Sequence, residues 1–145
     1  ARAMRSVETT KLPAWLTVVG RSKVGKHMVG GEIRKIPERV AIVKIDVEGA
    51  ELEVLEGMAE FLQSHSPLVL FEVLPVYTAE NQVRLDRQTK VEALLRRINY
   101  TILRVRKDPS GAYAGLSRIT SLDIHGDINQ CDYVGVPAAQ AAEFA

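Results

Sequence analysis

Three carboxylates fall within six residues of this chain, Asp46, Glu48 and Glu51, in the stretch Lys44-Ile45-Asp46-Val47-Glu48-Gly49-Ala50-Glu51. A fourth, Glu72, is the one charge in the apolar run Leu68-Val69-Leu70-Phe71-Glu72-Val73. Carboxylates held near a hydroxyl can orient it or take its proton. If Asp46 and Glu72 end adjacent strands, about 4.8 Å apart, they would also reach one ion. Two hard oxygen ligands completed by water suit Mg²⁺ or Ca²⁺, although two carboxylates make a thin site. The histidines add nothing to it, because His27, His65 and His125 lack any ligand spacing. Tyr77 and Tyr113, in segments expected to overhang the acids, could stack on a substrate ring; ordinary packing is the commoner fate of such residues.

The elements that position these acids are legible from periodicity. Val40 to Ile45 is an apolar strand that stops at Asp46. Val47 to Ala50 turn the chain, with Gly49 as the permissive residue and a positive φ expected there. From Ala50 the pattern becomes helical, with Leu52, Leu55, Met58, Ala59 and Leu62 at spacings of three and four. Ser64 to Pro67 break it, and Leu68 to Val73 form a second apolar strand. Apolar on both faces, the two strands are expected to be parallel neighbours in a covered sheet, joined by a right-handed crossover. Ligands bind at the carboxyl ends of strands in such sheets, which is where Asp46, Glu48, Glu51 and Glu72 fall. Residues 74–87 read as a polar excursion and 88–98 as a second amphipathic helix, with Asn99 as a left-handed stop. Tyr100 to Arg106 alternates as a strand, residues 107–127 read as a long glycine-bearing loop, and Asp132 to Val136 form the last strand. The alanine-rich residues 138–145 are expected to fray. No internal repeat is visible.

The eight residues Lys44 to Glu51, followed by Val54-Leu55 and Gly57 and by the strand ending in Glu72, resemble the signature of the FkbM family of S-adenosylmethionine-dependent methyltransferases. The resemblance spans about residues 40 to 136. It implies an α/β, Rossmann-like methyltransferase sheet, of which the order strand–helix–strand–helix–strand–strand is the C-terminal half. It implies O-methylation of a hydroxyl on a sugar, glycolipid or natural product, so the partner is a small-molecule or glycan acceptor. Asp46, Glu48, Glu51 and Glu72 would then be catalytic. Asp46 and Val47 would also touch the S-adenosylmethionine, and a divalent metal would be an option. The family's glycine-rich cofactor loop and the ribose-binding acid after it have no match here. The chain therefore reads as a fragment or degenerate relative, inactive by itself, that holds S-adenosylmethionine mainly through residues it lacks. The different-class alternative is a non-catalytic binding or assembly module that keeps the half-sheet.

Length and composition set the remaining bounds. The 145 residues, 46% hydrophobic, suit one domain with a packed core. Net charge is +1, which excludes a chain-wide nucleic-acid footprint. The charge is divided, however: residues 1–40 carry nine Lys/Arg and three Asp/Glu, a net of +6, and residues 41–145 a net of −5. Residues 1–39 thus read as a basic, irregular arm, with a short strand at Leu16 to Val19 and a turn at Gly30-Gly31. We expect this arm, or a second copy of the chain in a homodimer, to cover the open edge of the first parallel strand. Gly20-x4-Gly25-Lys26 is not a phosphate loop, because His27 stands where Ser or Thr is needed. The one cysteine, Cys131, cannot form an intrachain disulfide, which fits a reducing, cytoplasmic setting. No apolar run approaches the roughly 18 residues a membrane span needs.

Overall fold

The computed structural model describes residues 17–20 and 40–144. They form a mixed α/β unit built on a six-stranded sheet. In chain order the elements are β1 (Thr17–Gly20), β2 (Val40–Ile45), α1 (Glu51–His65), β3 (Leu68–Glu72), α2 (Gln82–Arg97), β4 (Tyr100–Lys107), β5 (Tyr113–Arg118) and β6 (Asp132–Pro137). The spatial order is β1-β2-β3-β6-β4-β5. β2 and β3 are the parallel pair that the sequence predicts, in register from Ile42 opposite Leu68 to Ile45 opposite Phe71. β6 inserts antiparallel between β3 and β4, so that β4 runs parallel to β3. At the other edge β1 runs antiparallel to β2 and covers it. The Gly25–Gly31 segment, Trp15 and His27 lie outside the described residues.

Both helices pack on one face. Leu52, Leu55, Met58 and Leu62 of α1 and Val91, Leu94 and Leu95 of α2 meet Val43, Ile45, Val69 and Phe71 of the parallel pair. Tyr133 joins this core, stacked on Phe71 with centroids 5.5 Å apart. The expectation of a sheet covered on both faces holds only in part. Ala41, Lys44 and Leu70 point the other way and are exposed. On that side a small cluster of Leu103, Val134 and Val136 is closed by Ala141. Ala141 belongs to a 3-10 segment, Ala138–Phe144, so these residues do not fray as the composition suggests.

Two further expectations are corrected. α2 begins at Gln82 and not near residue 88. Asn81 caps it, its side-chain oxygen accepting the Arg84 N–H at 3.3 Å. A cap satisfies an otherwise orphaned donor, and it starts the helix ahead of the apolar stripe, with Val83 left exposed. Residues 107–127 are not one loop, because β5 pairs with β4 as a hairpin. Its turn is built by Asp108, whose Oδ1 accepts the N–H of Ser110 (2.8 Å) and of Ala112 (3.0 Å), with Gly111 at φ 84°.

Asn99 ends α2 at φ 61°, and Gly49 turns the chain at φ 100°, both as the sequence predicts. A side chain at Gly49 would meet nothing within 4 Å. The cost of adding one is therefore backbone strain alone. Gly49→Val is expected to destabilise the fold by about 1–3 kcal/mol, read as a shift in the denaturant midpoint. A variant as stable as the parent would show that the turn relaxes without strain.

Candidate functional site

The turn after β2 is closed from within. Ala50 donates its N–H to the Val47 carbonyl at 2.8 Å. Ala50 has no side chain with which to cap α1, and Glu51 folds back onto the turn instead, its Oε1 accepting the Gly49 N–H at 2.8 Å. Glu51 is only 6% exposed, so of the predicted acids it is the one committed to holding the turn. Glu51 and Glu53 also place negative charge on the positive end of the helix. α2 is then tied to the turn by Arg87, which grips Glu53 with two hydrogen bonds (2.8 and 2.6 Å) and donates to the Gly49 carbonyl at 2.7 Å. That fork holds the Glu53 carboxyl below its usual range.

Asp46 and Glu72 end adjacent strands, as predicted, and belong to a longer row of charge. Asp46 is exposed and accepts from Lys44 Nζ at 2.7 Å. Glu72 lies opposite Asp132, the first residue of β6. Asp132 is paired in turn with Lys107, the last residue of β4. The row therefore reads Lys44–Asp46, Glu72, Asp132–Lys107 across four strands. Glu72, half-buried at its centre, has no ion pair or side-chain hydrogen bond among the described residues. Burial pushes its carboxyl above the ordinary range, Asp132 and Asp46 push it further, and Lys107 partly opposes them.

Beside this row, on the helical side of the sheet edge, lies a cleft of about 180 Å³ between the β2–α1 turn and α2. Glu48 and Glu51 line it with Leu74, Arg84, Gln88 and Val91, and Arg87 also borders it. Asp46 and Glu72 do not line it. The four predicted acids thus divide, two facing the cleft and two on the strand-end row.

Asp132, Lys107, Arg84, Arg87 and Gln88 were missed from the sequence. For the last three the signal was present, since positions 84, 87, 88 and 91 share one helix face. Starting α2 at residue 88 left the two arginines in a supposed loop and hid it. For Asp132 and Lys107 no local signal exists, because only the insertion of β6 brings them beside Glu72.

Tyr77 is exposed, with its ring beside Gly126, and Tyr113 is exposed on β5. His65 stacks on Phe61 and so takes no part. Among the described residues no group of three or more His, Cys, Asp or Glu is placed to hold a metal ion. None of their helices is long and apolar enough to cross a membrane.

The model of the methyltransferase FkbM domain matches residues 26–102. The chain belongs to that family. The match takes in the Asp46–Glu51 turn, both parallel strands and both helices, and stops within β4. Compared with the span expected from the sequence it starts earlier and ends sooner, leaving Lys107 and Asp132 outside the FkbM match. No curated protein and no solved structure matches the chain. Membership makes this a methyltransferase domain, with S-adenosylmethionine as the implied methyl donor, and the mixed α/β architecture is compatible with it.

Proposed function

We propose that this FkbM domain transfers a methyl group to a hydroxyl of a sugar, glycolipid or natural product at the edge where β2 and β3 end. The observation that carries the reading is the row Asp46–Glu72–Asp132 at the carboxyl end of a parallel pair, the ligand end of an open α/β sheet. S-adenosylmethionine supplies an activated methyl on a sulfonium centre when it is bound. The described residues fit the acceptor side of such a site. Asp46 and Val47 border the edge, but no glycine-rich cradle or ribose-binding acid is found among the described residues. In this reading they are the acceptor-side half of a Rossmann-like sheet. Their own work is to place the hydroxyl and receive its proton.

Asp46, anchored by Lys44, accepts a hydrogen bond from the acceptor hydroxyl and aligns it. Glu72 is the better proton acceptor, because its carboxyl is raised above the ordinary range and no cation among the described residues is paired with it. Glu48 holds a further hydroxyl in the cleft, and Glu51 keeps the turn that presents all of them. Incubation with S-adenosylmethionine labelled in the methyl group, across a panel of sugars and hydroxylated natural products, tests the reading. Label in an ether-linked methyl is expected. Absence of both transfer and cofactor binding would leave only the binding or assembly module.

Asp46→Asn is expected to lower turnover about tenfold, the loss of one charge-assisted hydrogen bond of roughly 1.5 kcal/mol. Steady-state rates at saturating acceptor measure it, with the melting temperature as control. Turnover unchanged at unchanged stability would remove Asp46 from the mechanism.

A further inference from the structure

We propose that the cleft between the β2–α1 turn and α2 takes a carboxylate-bearing polyol the size of one pyranose ring, an acceptor of the uronic-acid type, with Arg84 reading the carboxylate. The proposal deepens the transferase reading above and rests on it for the word acceptor; the binding itself does not. Size comes first. A cleft of about 180 Å³ is smaller than the roughly 300–1,000 Å³ that house drug-sized ligands, and it has room for one ring.

Charge decides the class. Two guanidiniums border the cleft, but Arg87 is already engaged by Glu53 and the Gly49 carbonyl. Arg84 has no ion pair or side-chain hydrogen bond among the described residues, which leaves one fork for one planar anion. It sits in the first turn of α2, a turn without acidic residues whose backbone end favours negative charge. Glu48 and Glu51 on the opposite wall disfavour a dianion, so a carboxylate fits better than a phosphate.

Hydroxyl recognition comes from two acceptors. Glu48 is exposed at the turn. Gln88 is only 4% exposed, and its amide nitrogen is taken by the Asp123 carbonyl at 2.9 Å. Its amide oxygen accepts from no described residue and is left for a ligand hydroxyl. Leu52, Leu74 and Val91 give the apolar surface on which the C–H face of a ring rests.

Amide-resolved NMR titration of the full chain with sodium glucuronate, glucose and glucose 6-phosphate tests this without any methyl donor. Glucuronate is expected to shift amides of residues 48–52 and 84–91, and to bind about tenfold more tightly than glucose or the phosphate. In Arg84→Gln that preference should disappear while the melting temperature stays put, since Arg84 is an exposed residue. Equal binding of glucuronate and glucose would overturn the proposal, as would tighter binding of the phosphate, shifts confined to other surfaces, no binding of any of the three, or a preference that survives in Arg84→Gln. The two readings fail separately. A glucuronate preference in a chain that transfers no methyl sinks the transferase alone, and transfer to neutral sugars without the preference sinks the cleft alone.

Discussion

Glu72→Gln is expected to lower methyl transfer by about 10²–10⁴-fold, the usual contribution of a positioned general base, and at the same time to stabilise the fold at neutral pH. Both effects follow from one environment. Glu72 is half-buried opposite Asp132 and near Asp46, and these surroundings raise its carboxyl above the ordinary range. Between the unfolded and folded titration points the folded state binds more protons, so stability falls as pH rises through that window. Above it the ionised carboxylate is a net cost, which glutamine removes. Below the ordinary carboxylate range both states are protonated and the benefit vanishes. Melting curves from acid to neutral pH should therefore diverge in favour of the variant. The pH–rate profile gives the catalytic half of the result. The parent should show an acid limb displaced above the ordinary carboxylate range, and the variant should lack it. An unchanged kcat/KM would end the base assignment, whatever the melting curves do.

Leu55→Ala is expected to destabilise the fold by about 2–5 kcal/mol, the range for emptying a fully enclosed leucine site. Leu55 is completely buried on the inner face of α1, within the core shared by both helices and the parallel pair. α1 cannot slide to fill the space. Its first turn is fixed by the Glu51–Gly49 hydrogen bond and by the Arg87 grip on Glu53. At its other end Tyr100 donates to the Pro67 carbonyl at 2.8 Å, just beyond the helix. Against a total stability of about 5–15 kcal/mol, this is the largest single loss we expect. Urea unfolding should show a lower midpoint with an unchanged slope. A loss under about 1 kcal/mol would mean that the helix does repack.

Local pattern was enough for β2, the Gly49 turn, α1, β3 and β4, because each has an unbroken period and a clear stop. It failed where a polar side chain makes the structure. Asn81 starts α2 at Gln82, six residues ahead of the start expected at residue 88, and Asp108 builds a hairpin turn out of what reads as loop composition. The same division holds at the site. Asp46 could be found because it stops a strand, Glu48 because it sits in the glycine turn that follows, and Glu72 because it is the lone charge in its strand. That Glu51 turns back onto its own loop to take the Gly49 N–H is a local hydrogen bond that pattern alone does not express. Asp132 and Lys107 are brought in by strand order, and strand order is the least local property of a sheet.

The place of β6 also governs how the chain can assemble. β3 and β4 are parallel but not neighbours, and each presents an unpaired edge until the last strand in chain order slides between them. Some sixty residues separate Glu72 from its partner Asp132 in sequence. The closing contacts are therefore among the most distant in the molecule, a topology that folds slowly because the loop must close before any pairing rewards it. During synthesis the first strands and both helices can collapse early, but the sheet stays split until β6 emerges. In that interval two bare, apolar edges invite pairing with other chains. The row of charges at the strand ends is completed at the same step, so that the surroundings that shift Glu72 come into being only with the finished fold.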